Sequence, residues 1–266
     1  MCALYGVTRA GYYAWRSRGE SAHQVEDRRL LREIGAIFAG SGGTYGSPRV
    51  QRSLEERGFS VSRRRVERLM RLAGLRARVV RIYRSNPRLH RFFAQHPNRL
   101  WRRRAKGPDQ IWVGDITYLP VAGRWRFLAV VMDQYSRRVL GWSLGMARGS
   151  ELPRAAFEHA LTRRHPQRGL IFHSDRGSEY SALSFRQRLE QLGIRQSMTR
   201  GGSPADNAHM ESFFHSLKAD VVHGVIFLDD RQLRTCLRRY VHYYNHHRLH
   251  SSLGYHSPVV YESQVA

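Results

Sequence analysis

Residues 111–145 read IWVGDITYLPVAGRWRFLAVVMDQYSRRVLGWSLG. Apolar side chains crowd into three runs, 111–121, 125–136 and 138–145, with turns near Ala122-Gly123 and Tyr135-Ser136-Arg137. β-Branched and aromatic residues bounded by turn formers predict three consecutive strands, and such short turns allow only antiparallel pairing. Beyond them the period changes. Glu151 to Arg164 repeats apolar positions at helical spacing, GLIFHSD (169–175) is a short buried strand, Ala182 to Leu192 a helix, and IRQSMT (194–199) a fifth strand. A further helix starts at Ser203-Pro204, the hydroxyl as cap and the proline in the first turn. Antiparallel strands followed by strands on crossover helices predict a mixed, five-stranded α/β sheet flanked by helices.

Three acids occupy special places in this layout. Asp115 lies on the first strand, Asp175 ends the fourth, and Glu211 sits on the helix after the fifth strand, with thirty-five residues between Asp175 and Glu211. Glu211, His215 and Lys218 recur at steps of four and three, so one helical face carries them. All three acids are expected to meet at one edge of the sheet. Close carboxylates cannot all ionise unless something offsets their repulsion. Mg²⁺ does so with a few carboxylate oxygens, and two ions roughly 3.5–4 Å apart serve both attacking and leaving oxygens of an in-line displacement. Asp115 is expected to bridge both ions, Asp175 to bind one and Glu211 the other, while Lys218 holds a phosphate. Glu179 is expected to line the site, and Asp133 to serve a turn. Asp206 and Asn207 fall in the first turn of the Glu211 helix, where side-chain oxygens satisfy free N–H groups. His173 and His209, near the acids, read as orienting or DNA-contacting groups. His242, His246, His247 and His250 cluster without a second ligand pair of zinc-finger spacing.

The front of the chain carries the charge. Lys and Arg total 45 against 21 Asp and Glu, and residues 1–110 hold 25 of the bases and 8 of the acids. All but Lys106 and Lys218 are arginine, suited to phosphate and guanine edges, so a polyanion partner, DNA, is expected. Helices are expected over Glu26 to Ala39, from Ser47-Pro48 to Arg57, and after Ser62, in a helix-turn-helix-like arrangement. Arg63, Arg64 and Arg65 open its second helix, where base edges would be met, and Arg102, Arg103 and Arg104 sit in an aperiodic basic linker. Cys2 and Cys236 are too few for a disulfide framework and suit a reducing compartment. No apolar run approaches the ~20 residues that span a bilayer, so a cytoplasmic, nucleoid-associated protein without membrane contact is expected. The divisions are an N-terminal helical scrap (1–22), the helix-turn-helix-like region (23–80), the linker (81–108), the catalytic core (109–225) and a C-terminal helix with a His/Tyr-rich tail (226–266).

The motifs WVGDITYLP, HSDRGSEYS, DNAHMESFFHSLK and YYNHHRLHSSLGYHSP, in this order, resemble those of OrfB-type transposases of the IS-three family of bacterial insertion sequences. TYGSPRV and VSRRRVERLMRLAGL resemble the helical region of the same family. The family is similar to retroviral integrases. The resemblance implies a ribonuclease-H-like core, Mg²⁺ or Mn²⁺ dependence, and cleavage and joining at element ends, with Asp115, Asp175 and Glu211 as catalytic acids and Lys218 as the basic residue after them. It implies terminal inverted repeats and target DNA as partners, a homo-oligomer on DNA, and an upstream OrfA-type product. The family commonly reads GSQY where this chain has Gly177-Ser178-Glu179-Tyr180, which adds a negative charge beside Asp175. Competing readings are a non-catalytic DNA-binding regulator, which leaves the acids idle, and a nuclease of the same fold. A two-carboxylate glycosidase gives no reason for a net charge of +24.

Overall fold

The computed structural model describes residues 6–17, 19–77, 98–100, 103–200, 204–223 and 225–264. The expected Ser203 cap, Arg102 and most of the basic linker lie outside the described residues. The chain divides into two compact units, 1–77 and 78–266.

In the first unit α1 (Arg9–Ser17) buries none of its side chains. Three helices follow: α2 (Ala22–Gly40), α3 (Ser47–Glu56) and α4 (Arg63–Leu72). α2 starts four residues earlier than its apolar stripe predicts, because Ser21 and Gln24 form a capping box. Leu30, Ile34, Val50, Leu54, Val66 and Leu69 make the shared core. Between α3 and α4 the chain reverses at Gly58, whose φ of +83° few other residues adopt, and Ser62 caps α4 by accepting from the Arg65 amide.

The second unit is one five-stranded sheet in the order β3-β2-β1-β4-β5. β1 (Ile111–Val121), β2 (Arg124–Asp133) and β3 (Val139–Gly145) pair antiparallel, and β4 (Ile171–Ser174) and β5 (Arg195–Met198) join parallel. β1 turns into β2 at Ala122 and Gly123, both with positive φ, a two-residue turn that matches strand twist. Strand alternation sorts the core into two layers. Trp112, Ala129, Val131 and Phe172 face α5 (Glu151–Arg163) and α7 (Leu183–Gln191); the four-residue α6 (Ser178–Ser181) precedes α7. Val113, Val130 and Met132 face α8 (Ala208–Leu217) and α9 (Asp230–His246).

α5 lies directly on β3. A Cβ at Gly141 would stand 2.1 Å from the Ala156 carbonyl oxygen, so only glycine permits this approach.

The C-terminal motif is part of this unit. Asn245 exchanges two 2.9 Å hydrogen bonds with the backbone of Val139, which satisfies one residue of the outer edge of β3. Buried Glu262, on α10 (Pro258–Ser263), pairs with Arg138 and Arg164.

Candidate active site

The last parallel pair between β1 and β4 is Gly114 with Ser174. Asp115 and Asp175 are therefore the first residues past the point where the two strands part. Asp115 has the parity of Val113, which turns it toward the α8 side of the sheet. Gly114 keeps the other side open for rings: a Cβ there would lie 2.6 Å from Phe172 Cζ and 3.3 Å from the Tyr180 hydroxyl. Asp115 accepts a 2.7 Å hydrogen bond from the Ile116 amide, and Asp175 a 3.0 Å bond from the Gly177 amide.

These contacts satisfy little of two partly buried charges. Burial first, then repulsion by Asp175, push the Asp115 carboxyl up to about 8, with Glu211 adding and Arg148 opposing. Burial also raises Asp175, and Glu179 adds to it, against the Gly177 amide and Arg148. The buried Tyr180 hydroxyl, which has no hydrogen-bond partner among the described residues, is raised by burial and then by Asp115 and Asp175. Glu211, in the first turn of α8, is exposed and has no hydrogen-bond or ion-pair partner among the described residues. Such a set of hard oxygen donors, short of positive charge, fits a divalent cation of the Mg²⁺ class. Among the described residues no three His, Cys, Asp or Glu stand close enough together to hold a metal. The two aspartates share the fork, and Glu211 acts on Asp115 from α8.

Arg148 and Tyr180 were not legible as site residues. Arg148, in the loop after β3, is ion-paired with Glu179, whose carboxylate is 6% exposed. Lys218 is half-buried where α8 passes into a π-turn (Lys218–Val222), its Nζ 4.5 Å from the centre of the Tyr118 ring. Burial lowers its pKa and Asp115 opposes that shift.

Asp206 does something other than cap the helix. It accepts from the Arg200 amide at 2.9 Å and from the Asn98 side chain at 2.8 Å, tying two loops together. Asn207 reaches from the start of α8 to the Gly114 carbonyl at 3.4 Å. Burial lowers His173 and His209 to about 4, so both are neutral near pH 7; His173 bonds the Ser197 hydroxyl and His209 contacts Arg137. Asp133 accepts from the Tyr135 and Ser136 amides, as a turn residue does.

The arginines divide. Arg65 is clamped by Glu26 and Asp27, Arg63 pairs with Glu67 one turn on, and Arg64 is exposed without a partner among the described residues. Arg103 and Arg104 line a cleft with Lys106, His165, Arg168 and Arg195, at the end of the sheet where β1 and β4 begin. His242 and His246 stack at 4.5 Å on α9.

Sheet order, crossover helices and acids at the fork define a ribonuclease-H-like integrase core behind a helix-turn-helix-like unit. Residues 105–204 and 192–258 match two families described as Integrase core domain, and residues 25–83 match HTH-like domain. The simian T-cell lymphotropic virus intasome shares the fold, with a TM-score of 0.51 and 17% identity over 80% of this chain and 70% of that one. Transposase InsF for insertion sequence IS3A of Escherichia coli (strain K12) is 35% identical over 99% of this chain and 93% of its own length. The insertion element IS600 31 kDa protein of Shigella sonnei is 36% identical over 99% of this chain and 98% of its own. The chain belongs to the transposase family of IS3-type insertion sequences. No helix among the described residues is long and apolar enough to cross a membrane.

Proposed function

We propose that this chain is a DDE-type DNA transposase that cleaves and joins DNA at the ends of an insertion sequence. One observation carries the reading: two partly buried aspartates stand at the strand fork, Asp175 raises the proton affinity of Asp115, and a third carboxylate, Glu211, acts on Asp115 from α8. Asp115, Asp175 and Glu211 would hold Mg²⁺ or Mn²⁺. When bound, the metal supplies Lewis-acid polarisation of the scissile phosphodiester. Water attacks the phosphorus and its bond to the 3′ oxygen breaks; the freed 3′-OH then attacks a phosphodiester of the target strand, and a new P–O bond forms as the target's own 3′ oxygen leaves and takes up a proton. Asp115 and Asp175 are fixed by strand backbone, so the acids are pre-placed, while Glu211 has freedom to turn inward from its helix. Lys218 sits in the field of Asp115 and presents its ammonium to a DNA phosphate. Arg64 in the helical unit, and Arg103 and Arg104 at the end of the sheet where β1 begins, contribute phosphate contacts.

Terminal inverted repeats and target DNA are the substrates in this reading. A homo-oligomer assembles on them with an upstream OrfA-type product, in the bacterial cytoplasm at the nucleoid. The test is strand transfer on end-sequence DNA in Mg²⁺ or Mn²⁺. Asp115→Asn, Asp175→Asn and Glu211→Gln each lose at least a hundredfold in rate while DNA affinity holds or rises. Variants that keep wild-type strand transfer overturn the assignment of the acids. Wild-type protein that binds end DNA but transfers nothing in either metal points to a regulator, and release of a 3′-OH without joining points to a nuclease.

A further inference from the structure

Near the tip of the β1–β2 hairpin two large rings stand in solvent. Tyr118 is 55% exposed and Trp125 57%, and they meet edge to face with centroids 5.0 Å apart. The register explains the meeting. Tyr118 pairs with Phe127 and Pro120 with Trp125, so all four side chains share one face of the hairpin. No packing need of the sheet requires bare aromatic rings there. Lys218 makes the patch more than an apolar one. Its Nζ stands over Tyr118, although α8 packs on the other face of β1. Beyond Gly114 one edge of β1 is no longer paired with β4. Its ammonium makes no hydrogen bond or ion pair among the described residues. Three residues along β1, about 10 Å of strand, separate Asp115 from Tyr118, which points to the opposite face of the sheet.

We infer that Tyr118 and Trp125 form a stacking platform for one nucleobase of the DNA strand leaving the acidic site, with Lys218 holding the adjoining phosphate. The inference rests on the proposed function and adds a base-binding subsite to it. The pairing of a cation that has no anionic partner among the described residues with exposed aromatic rings selects the ligand. A nucleotide brings the negative charge the ammonium lacks and the flat ring the aromatics can cover. A second copy of this chain, with its net charge of +24, brings the wrong sign to Lys218.

The test is titration of the full chain, in EDTA, into short single-stranded oligonucleotides carrying 2-aminopurine at successive positions, alongside strand transfer in Mg²⁺. Wild-type protein is expected to quench one position strongly. Tyr118→Ala and Trp125→Ala weaken binding about 5- to 150-fold and restore that fluorescence, with the salt slope unchanged, whereas Trp125→Phe keeps most of the affinity. Lys218→Gln lowers the salt slope by about 0.7. Alanine variants that bind and quench like the wild type overturn the platform, even where wild-type strand transfer succeeds. Variants that lose self-association in sedimentation while keeping oligonucleotide affinity also overturn it, and assign the patch to a protein contact. If wild-type protein quenches as expected yet cleaves nothing in Mg²⁺ or Mn²⁺, the platform stands and the transposase chemistry fails.

Discussion

Arg148 is ion-paired with the buried carboxylate of Glu179, and its guanidinium is the cation that opposes the charge of both Asp115 and Asp175. The negative charge that Glu179 adds beside Asp175 is thus matched within the chain. Arg148→Gln leaves a buried carboxylate unpaired and is expected to lower unfolding free energy by about 1–3 kcal/mol, the arginine end being half exposed. Glu179→Gln should be milder, and the double variant should recover most of the loss. Urea unfolding of the three variants forms the cycle. Additive losses would show that the pair is not coupled.

The metal-free site should also report through pH. The folded-state pKa of Asp115 is about 8, far above the ordinary carboxyl value, because burial and Asp175 disfavour its charged form. The native state then binds more protons than the unfolded chain between about pH 4 and 8. Its contribution to stability is present below that window and lost as pH rises through it. Asp115→Asn is therefore expected to gain stability over the wild type as pH is raised from 4 to 8, and added Mg²⁺ should narrow the gap. A difference in melting temperature that stays flat with pH would remove the electrostatic reading of the fork.

Within the helical unit neighbouring arginines should behave differently. Arg65→Ala is expected to lose about 1–2 kcal/mol of stability, because Glu26 and Asp27 lose their clamp. Arg64→Ala should leave the unfolding midpoint alone and reduce the slope of log affinity against log salt by about 0.9 on duplex DNA. Equal effects of the two substitutions on stability would contradict the division.

Gly141→Ala should prevent the second unit from folding normally. Its Cβ would meet the Ala156 carbonyl oxygen at 2.1 Å and the Ala160 amide nitrogen at 2.6 Å, backbone atoms that cannot rotate away. A loss of more than about 3 kcal/mol, with release of α5, is expected by denaturation and hydrogen exchange.

These cases mark what the sequence could and could not say. Period-two runs with a turn at Ala122-Gly123 announce β1 to β3, and short apolar runs between helical stretches announce β4 and β5. The places of Asp115 and Asp175 in the fold were legible because each is tied to a strand, whose end is set by local pattern. Arg65 was not, since a run of three arginines looks the same whether it faces solvent or two acids on another helix. Arg148 and Glu179 are thirty-one positions apart, and only tertiary packing joins a loop after β3 to the turn after β4. Asp206 has the position of a helix-capping residue, but Arg200 and Asn98 compete for its oxygens and win.

The alternation of side chains along β1 makes the count of residues before Asp115 a matter of odd and even. One residue inserted between Ile111 and Asp115 would swing the acid across to the α5 layer, among Trp112 and Phe172, and present a hydrocarbon to α8 instead. An extra residue in a loop does not by itself turn side chains from one face of a sheet to the other. An extra residue in the stem of β1 does, and over generations the stem's length should prove more rigid than the identity of most residues within it.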